Sequence, residues 1–263
     1  MVLADFDLTG RRVLITGAGR GIGKGIALVM AEAGADVAVT SLGQENADRV
    51  AAEVRALGRR GVGFAADGTS VPSVEAVAER VYAELGGLDV LVNCVGDSIP
   101  GAVAASPNGT ARVMTEADWH RVVDINLTQA YVGCHVFGPH LLAQGSGCAI
   151  NISGIAGLRA TANQAAYAAS KAGLTRMTEV LAQEWAPYRV RANAIAPGQF
   201  PDAEQMTPEE FAERERAGAA RVPLGRLGRM RDVGLLAAFL ASDAAWYITG
   251  QTIAVDGGRT IAG

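Results

Sequence analysis

The sequence predicts an α/β domain built on one doubly wound parallel sheet of about seven strands, with helices on both faces. Three observations predict it. Short β-branched runs alternate with helical stretches along the whole chain, the order that gives parallel strands joined by crossover helices. A glycine-rich turn stands between the first strand and the first helix. The 263 residues, 49% hydrophobic and 19% charged, suffice for one large buried core.

The first strand is Arg12 to Thr16 (R-V-L-I-T). It is followed at once by G-A-G-R-G-I-G at 17–23 and the apolar helical run I-A-L-V-M-A-E-A. D-V-A-V-T (36–40) reads as the second strand, 45–57 as a helix, V-G-F-A-A (62–66) as the third strand and 74–85 as a helix. D-V-L-V-N (89–93) is the fourth strand, 119–142 one long helical pattern, and C-A-I-N-I (148–152) the fifth strand. The helix carrying Tyr167 and Lys171 comes next, then V-R-A-N-A-I (190–195), a helix at 232–240 and a last strand, Q-T-I-A-V (251–255). Ligands of such sheets bind beyond the carboxyl ends of the strands. Thr16, Asn93, Ser153 and Pro197 fall at or just past those ends. No internal repeat, low-complexity tract or linker interrupts the pattern, so residues 1–263 read as a single domain.

A net charge of −4 argues against a nucleic-acid surface or a basic membrane-binding face. No apolar run reaches the ~18–20 residues of a membrane helix. The N-terminus carries acids where a signal peptide needs bases. Cys94, Cys134 and Cys148 lack metal-ligand spacing and read as free thiols of a reducing cytoplasm. His120, His135 and His140 fall on the long helical pattern, also without metal spacing, and read as surface or interface residues, so no metal site is expected.

The glycine turn and one helix carry the chemistry. Strand, glycine turn and helix let a backbone approach a pyrophosphate, and the helix N-terminus supplies amide donors and positive potential. Gly17 makes the turn, and Gly21 and Gly23 sit where phosphate and helix meet, in the spacing G-x-x-x-G-x-G. Tyr167 and Lys171 are four apart and share a helix face. A free tyrosine has a pKa of about 10, and a neighbouring ammonium favours the phenolate. A tyrosine tuned towards neutrality can give a proton to a carbonyl oxygen or take one from an alcohol. Alone, Tyr-x-x-x-Lys describes many surface helices; its place behind a dinucleotide turn gives it weight.

With T-G-A-G-R-G-I-G (16–23), D-V-L-V-N-C-V-G (89–96), I-N-L (125–127), N-I-S-G-I-A-G (151–157), Y-A-A-S-K (167–171), R-A-N-A-I-A-P-G (191–198) and I-T-G-Q-T-I-A-V-D-G-G (248–258) in order, the chain resembles the short-chain dehydrogenase/reductase superfamily over nearly its whole length. It is similar to members of the 3-oxoacyl-carrier-protein reductase and gluconate 5-dehydrogenase kinds. The resemblance implies a Rossmann-type fold, a nicotinamide cofactor, hydride transfer between a small ketone and a secondary alcohol, and a cytoplasmic homotetramer or homodimer. It implies that Tyr167 is the general acid/base. Lys171 would lower the tyrosine pKa and hold the nicotinamide ribose, and Asn126 would anchor a proton-relay water. It assigns cofactor contacts to Gly17, Gly19, Arg20, Gly21, Ile22 and Gly23 in the glycine loop, Ser41 after the second strand, and Asp67 and Gly68 beside the adenine. Asn93 and Gly96 at the fourth strand, and Pro197, Gly198 and Phe200 by the nicotinamide, complete that set.

Three departures stand out. The position of the family's catalytic serine, thirteen before the tyrosine, is Gly154. Ser153 is one residue earlier, and neighbouring side chains on a strand point to opposite faces. Losing such a hydroxyl can cost roughly 3–4 kcal/mol in the transition state; Ser153 itself, a water, Thr161 or Gln164 could stand in. The gap motivates an alternative, a non-redox isomerase, lyase or cyclase on the same fold. Second, Cys94 replaces an asparagine and reads as packing, since nothing basic adjoins it in sequence. Third, Asp202 stands where a threonine often holds the cofactor's carboxamide.

Cofactor choice rests on the end of the second strand, where an acid would bind the ribose of NAD and repel the extra phosphate of NADP. Ser41 and Leu42 stand there, and Arg20 can pair with a phosphate, so NADP(H) is favoured over NAD(H). Two segments, 97–116 and 199–221, are expected to shape the substrate site. The second carries Asp202, Glu204, Glu209, Glu210, Glu213 and Glu215 against Arg214, Arg216 and Arg221, which would disfavour anionic substrates unless these residues form a solvated helix face.

Overall fold

The computed structural model describes residues 3–99, 103–106 and 112–262. Its strands are β1 (Arg12–Thr16), β2 (Asp36–Ser41), β3 (Gly61–Ala65), β4 (Val90–Asn93), β5 (Gly147–Ile152), β6 (Val190–Pro197) and β7 (Thr252–Val255). Its α-helices are α1 (Gly21–Glu32), α2 (Gln44–Ala56), α3 (Val71–Leu85), α4 (Glu116–Val123), α5 (Gln129–Gln144), α6 (Ala165–Trp185), α7 (Pro208–Ala219) and α8 (Met230–Ala241). The seven strands form one parallel sheet in the order β3-β2-β1-β4-β5-β6-β7. The winding reverses between β1 and β4, the crevice where ligands of open parallel sheets bind.

Strand alternation sorts the core into two layers. Val13, Ile15, Val90, Val92, Ile150 and Ile195 face α1, α2 and α8. Leu14, Ala38, Leu91, Ala149 and Ala192 face α3, α5 and α6. The predicted strands all form, with ends shifted by up to two residues. The helix expected at 74–85 begins three residues earlier, because Ser70 caps it by accepting from the Ser73 amide and Pro72 suits its first turn. It stops at Gly86 in the left-handed conformation.

The long helix expected over 119–142 is the main correction. It divides into α4, a π-helical turn at Asp124–Thr128, and α5. Thr115 and Asp118 form a capping box that starts α4 at Glu116, three residues before the Trp119 at which the apolar pattern begins. Hydrophobic spacing does not reveal the extra residue of a π turn, which is common at functional sites.

All three cysteines are free. Among the described residues no helix is long and apolar enough to cross a membrane, and no group of side chains could hold a metal ion. His120 and His135 are exposed as expected. His140 is half-buried: it stacks on Tyr82 at 4.5 Å and accepts from the Leu88 amide at 3.3 Å. Of the segment expected to shape the substrate site at 97–116, residues 100–102 and 107–111 lie outside the described residues; Val103 and Val113 pair across it.

Candidate active site

The glycine turn closes tightly. A Cβ on Gly23 would stand 2.7 Å from both the Ala18 Cα and the Gly17 carbonyl oxygen, and one on Gly17 would stand 2.8 Å from Val95 Cγ2. A Cβ on Gly19 would stand 2.5 Å from Ser41 Oγ, so the turn lies directly on the end of β2. Arg20, at the N-cap of α1, puts no side-chain bond on the first amides of that helix. Ile22 is half-buried and packs into the core beneath. A backbone-lined turn with free amides fits the pyrophosphate of a dinucleotide.

Beyond β4 the chain is held by the next layer. Asn126, fully buried in the π turn, donates to the Val122 carbonyl at 2.8 Å and the Asp97 carbonyl at 2.5 Å, and its Oδ1 accepts from the Asp97 amide at 3.3 Å. Gln129, one turn on, donates to the Val95 carbonyl at 3.1 Å. Between these clamps lies Gly96. A Cβ there would stand 3.1 Å from Asn126 Oδ1 and 3.1 Å from Lys171 Nζ, so the absence of a side chain leaves room for both polar atoms at the strand end. Gly68 borders the same place, its Cβ direction 3.7 Å from both Gln129 Cβ and Val95 Cγ2.

Lys171 is buried in α6 and donates to the Ile152 carbonyl at 3.0 Å. An ammonium has three donors, so this bond leaves Lys171 capacity to hold a hydroxyl. Burial lowers its pKa to about 8. Its Nζ lies 5.6 Å from the centre of the Tyr167 ring. The expectation that Lys171 depresses the tyrosine pKa is corrected in this state. Tyr167 is raised above its ordinary value, first by burial, then by the charge of Asp97 and by Cys94. Desolvation of the half-buried phenol disfavours the phenolate.

Gly154 faces the tyrosine: a Cβ there would stand 3.3 Å from the Tyr167 hydroxyl. Its φ of 127° and ψ of 153° belong to a region that glycine alone occupies without strain. Ser153 points the other way. It is buried, and its hydroxyl donates to the Ile195 carbonyl at 3.1 Å. The geometry therefore does not bring Ser153 to Tyr167, as strand alternation anticipates. Cys94 is packing, with its thiol pushed up to about 12 by burial.

Two of the expected cofactor contacts, Asn93 and Phe200, have side chains engaged within the fold. Asn93 shares its side of the sheet with Leu91, so its side chain enters the layer under α5. There it donates to Asn151 Oδ1 at 2.9 Å, while Asn151 donates to the Thr178 hydroxyl at 2.9 Å. Phe200 lies against Gly228 and lines a cavity of about 510 Å³ with Val222 and Leu224. Apolar packing with the segment before α8 draws it there. Pro197 ends β6, and Gly198 donates to the Val255 carbonyl at 2.9 Å, which fixes that turn beside β7. Asp67 accepts from both the amide and hydroxyl of Thr69, which hold its carboxyl below the usual range.

The segment after β6 does not present a purely solvated acidic face. Glu204 pairs with Lys24 at 2.6 Å and with Arg49 at 3.1 Å. Arg49 also donates to the Gly19 carbonyl at 2.9 Å, and Arg20 donates to Gln205 at 2.7 Å. Asp202 Oδ2 lies 3.5 Å from where a Cβ of Gly21 would stand. Sequence reasoning missed Asp97, Gln129, Lys24 and Arg49. The spacing of Gln129 from Asn126 and of Lys24 from Arg20 places each pair on one face, but nothing local marks the partners of Arg49.

Comparison with known proteins decides the family. The family described as Enoyl-(Acyl carrier protein) reductase matches residues 17–260. The chain belongs to the short-chain dehydrogenase/reductase family. A 3-oxoacyl-[acyl-carrier-protein] reductase of Thermotoga maritima is 35% identical over 97% of this chain and 99% of that protein. A gluconate 5-dehydrogenase from Burkholderia cenocepacia J2315, solved with NADP and tartrate, superposes with a TM-score of 0.88 at 33% identity, covering 98% of both chains. A 7α-hydroxysteroid dehydrogenase solved with NADH and 7-oxo glycochenodeoxycholic acid gives 0.86 at 32% identity, again over 98% of both chains. All three are named as reductases or dehydrogenases, two of them were solved with NADP or NADH, and none of them supports the non-redox alternative.

Proposed function

We propose that this protein interconverts a small ketone and a secondary alcohol with NADP(H), with Tyr167 as its general acid/base. The convergence of Tyr167, Lys171 and Asn126 at the carboxyl end of the sheet, around Gly96, carries the reading. The nicotinamide, when bound, supplies or accepts the hydride. The glycine turn at 17–23 would hold the pyrophosphate on the α1 amides, and Lys171 would hold a ribose hydroxyl with its remaining donors. In the reductive direction the Tyr167 hydroxyl gives its proton to the carbonyl oxygen; in the oxidative direction the phenolate takes the alcohol proton. Asn126 fixes the backbone at Asp97 and, with Lys171, lines a route for restoring that proton. Asp97, whose charge acts on Tyr167, disfavours a carboxylate next to the reacting carbon.

The preference for NADP rests on Ser41 at the end of β2, where no acid stands to repel a phosphate. A cytoplasmic homotetramer or homodimer completes the reading, in line with the family resemblance. The test is calorimetric titration with NADPH and NADH, followed by cofactor oxidation over a panel of small ketones. Tight NADPH binding with turnover supports the reading. Binding without consumption on any ketone or alcohol would overturn it.

A further inference from the structure

We infer that Arg49, on α2, is the residue that distinguishes NADP from NAD in this protein, and that Glu204 occupies it until the phosphorylated cofactor arrives. The inference rests on the NADP reading above.

The position of Arg49 is set from three sides. Its Nη2 donates to the carbonyl of Gly19 at 2.9 Å, which anchors the guanidinium at the rim of the glycine turn. At the same glycine, a Cβ would stand 2.5 Å from Ser41 Oγ and 3.0 Å from Asn46 Cβ. The end of β2 and the start of α2 therefore meet the turn where Arg49 is tethered. This is the end of the second strand, where the adenosine ribose of a dinucleotide is read. Arg20, the arginine that the sequence nominates for the phosphate, donates instead to the neutral Gln205.

Arg49 already holds an anion. Its Nη1 lies 3.1 Å from Glu204 Oε2, and Lys24, 2.6 Å from Glu204 Oε1, is shared with Glu53 at 2.8 Å. Two cations thus face two carboxylates. Glu204 belongs to the segment after β6 and is far from Arg49 in sequence, whereas Lys24, Arg49 and Glu53 sit on the paired helices α1 and α2. A guanidinium fork matches a carboxylate and a phosphate by the same geometry. A ribose phosphate can take the place of Glu204 without leaving either cation unpaired. NAD(H) brings no anion to that spot, so Glu204 stays. Asp202 lies over Gly21 in the same segment, so the residues just after β6 bring their carboxylates to the anion-binding turn.

The experiment measures dissociation constants by calorimetry for NADPH, NADH and 2′,5′-ADP, a probe with the phosphate but no nicotinamide. Arg49→Gln, Arg49→Lys, Arg20→Gln and Glu204→Gln are compared with the parent protein, each checked by thermal melting. Arg49→Gln is expected to weaken NADPH and 2′,5′-ADP by roughly ten- to a hundredfold, the scale of one charge-assisted contact, and to leave NADH within about twofold. Arg49→Lys recovers part of the loss, because it restores the charge without the fork. Glu204→Gln tightens 2′,5′-ADP several-fold by removing its competitor. If the parent protein prefers NADPH and Arg49→Gln leaves that ratio intact, or Arg20→Gln alone abolishes it, the inference is wrong and the NADP reading stands. If the parent protein binds NADH as well as NADPH, the NADP reading fails and the inference falls with it.

Discussion

Two buried asparagines lie one helix apart and do opposite work. Asn93 and Asn126 are both fully buried, and both carry side-chain amides that must be bonded. Asn93 sits on the sheet face under α5 and joins a seam with Asn151 and Thr178. That seam runs on into the helix: the Thr178 hydroxyl donates in turn to the Leu174 carbonyl at 2.8 Å, while Asn93 Oδ1 stays buried without a partner among the described residues. Asn126 sits in a π turn at the open end of the sheet, beside a lysine bonded to one carbonyl. A polar group surrounded by its own fold rigidifies it. A polar group whose neighbour keeps spare donors at a strand end can serve a ligand.

The largest effect expected is at Tyr167. Tyr167→Phe should lower turnover by roughly 10²- to 10⁴-fold, the range for a positioned acid/base, with NADPH affinity nearly unchanged by calorimetry. Next comes a direct contrast of the asparagines. Asn126→Ala should cut kcat at least tenfold, because it frees the 95–97 backbone beside Lys171. Asn93→Ala should instead destabilise the protein by about 1–3 kcal/mol, since Asn151 loses a buried donor, while kcat stays within severalfold. Chemical denaturation and steady-state kinetics on the two variants read this out; equal effects on both would erase the contrast.

Lys171 gives the third prediction, in pH. Its folded pKa of about 8 is below its ordinary 10.5. Between those values the unfolded chain binds more protons, so folding stability gains as pH rises through that window. The unfolding midpoint of the parent protein should climb relative to Lys171→Met from pH 8 to about 10.5, and the two curves should run parallel below pH 7. The smallest effect is at Ser153. Ser153→Ala removes one bond to Ile195 and should cost about 1 kcal/mol of stability, with turnover changed less than threefold. A hundredfold loss of kcat would return Ser153 to the catalytic set.

Sequence alternation made the sheet, its strand ends and the glycine turn legible, because Val13, Leu14 and Ile15 already declare two faces and Gly17 to Gly23 admit few other uses. It also made Ser153 legible as a residue turned away. What it could not show depends on long-range packing. Tyr167 and Lys171 are neighbours in sequence, yet the state of the phenol is set by burial and by Asp97 from another strand end. Arg49 is an ordinary helix arginine until β2, the glycine turn and the segment after β6 meet around it. Gly154 reads as a serine lost, whereas its backbone conformation is one that a serine would strain by about 1–3 kcal/mol.

The π turn at Asp124–Thr128 has a consequence for how this protein can change length. Each residue of an α-helix rotates the chain by ~100°, so one residue more or fewer in that turn would spin everything after it. Val132, Phe137 and Leu141, now in the core, would swing towards solvent together, and Asn126 would leave Lys171. The segment is thus a phase element: it tolerates exchanges of side chain at its exposed positions, but it forbids any insertion or deletion that is not undone within the same turn.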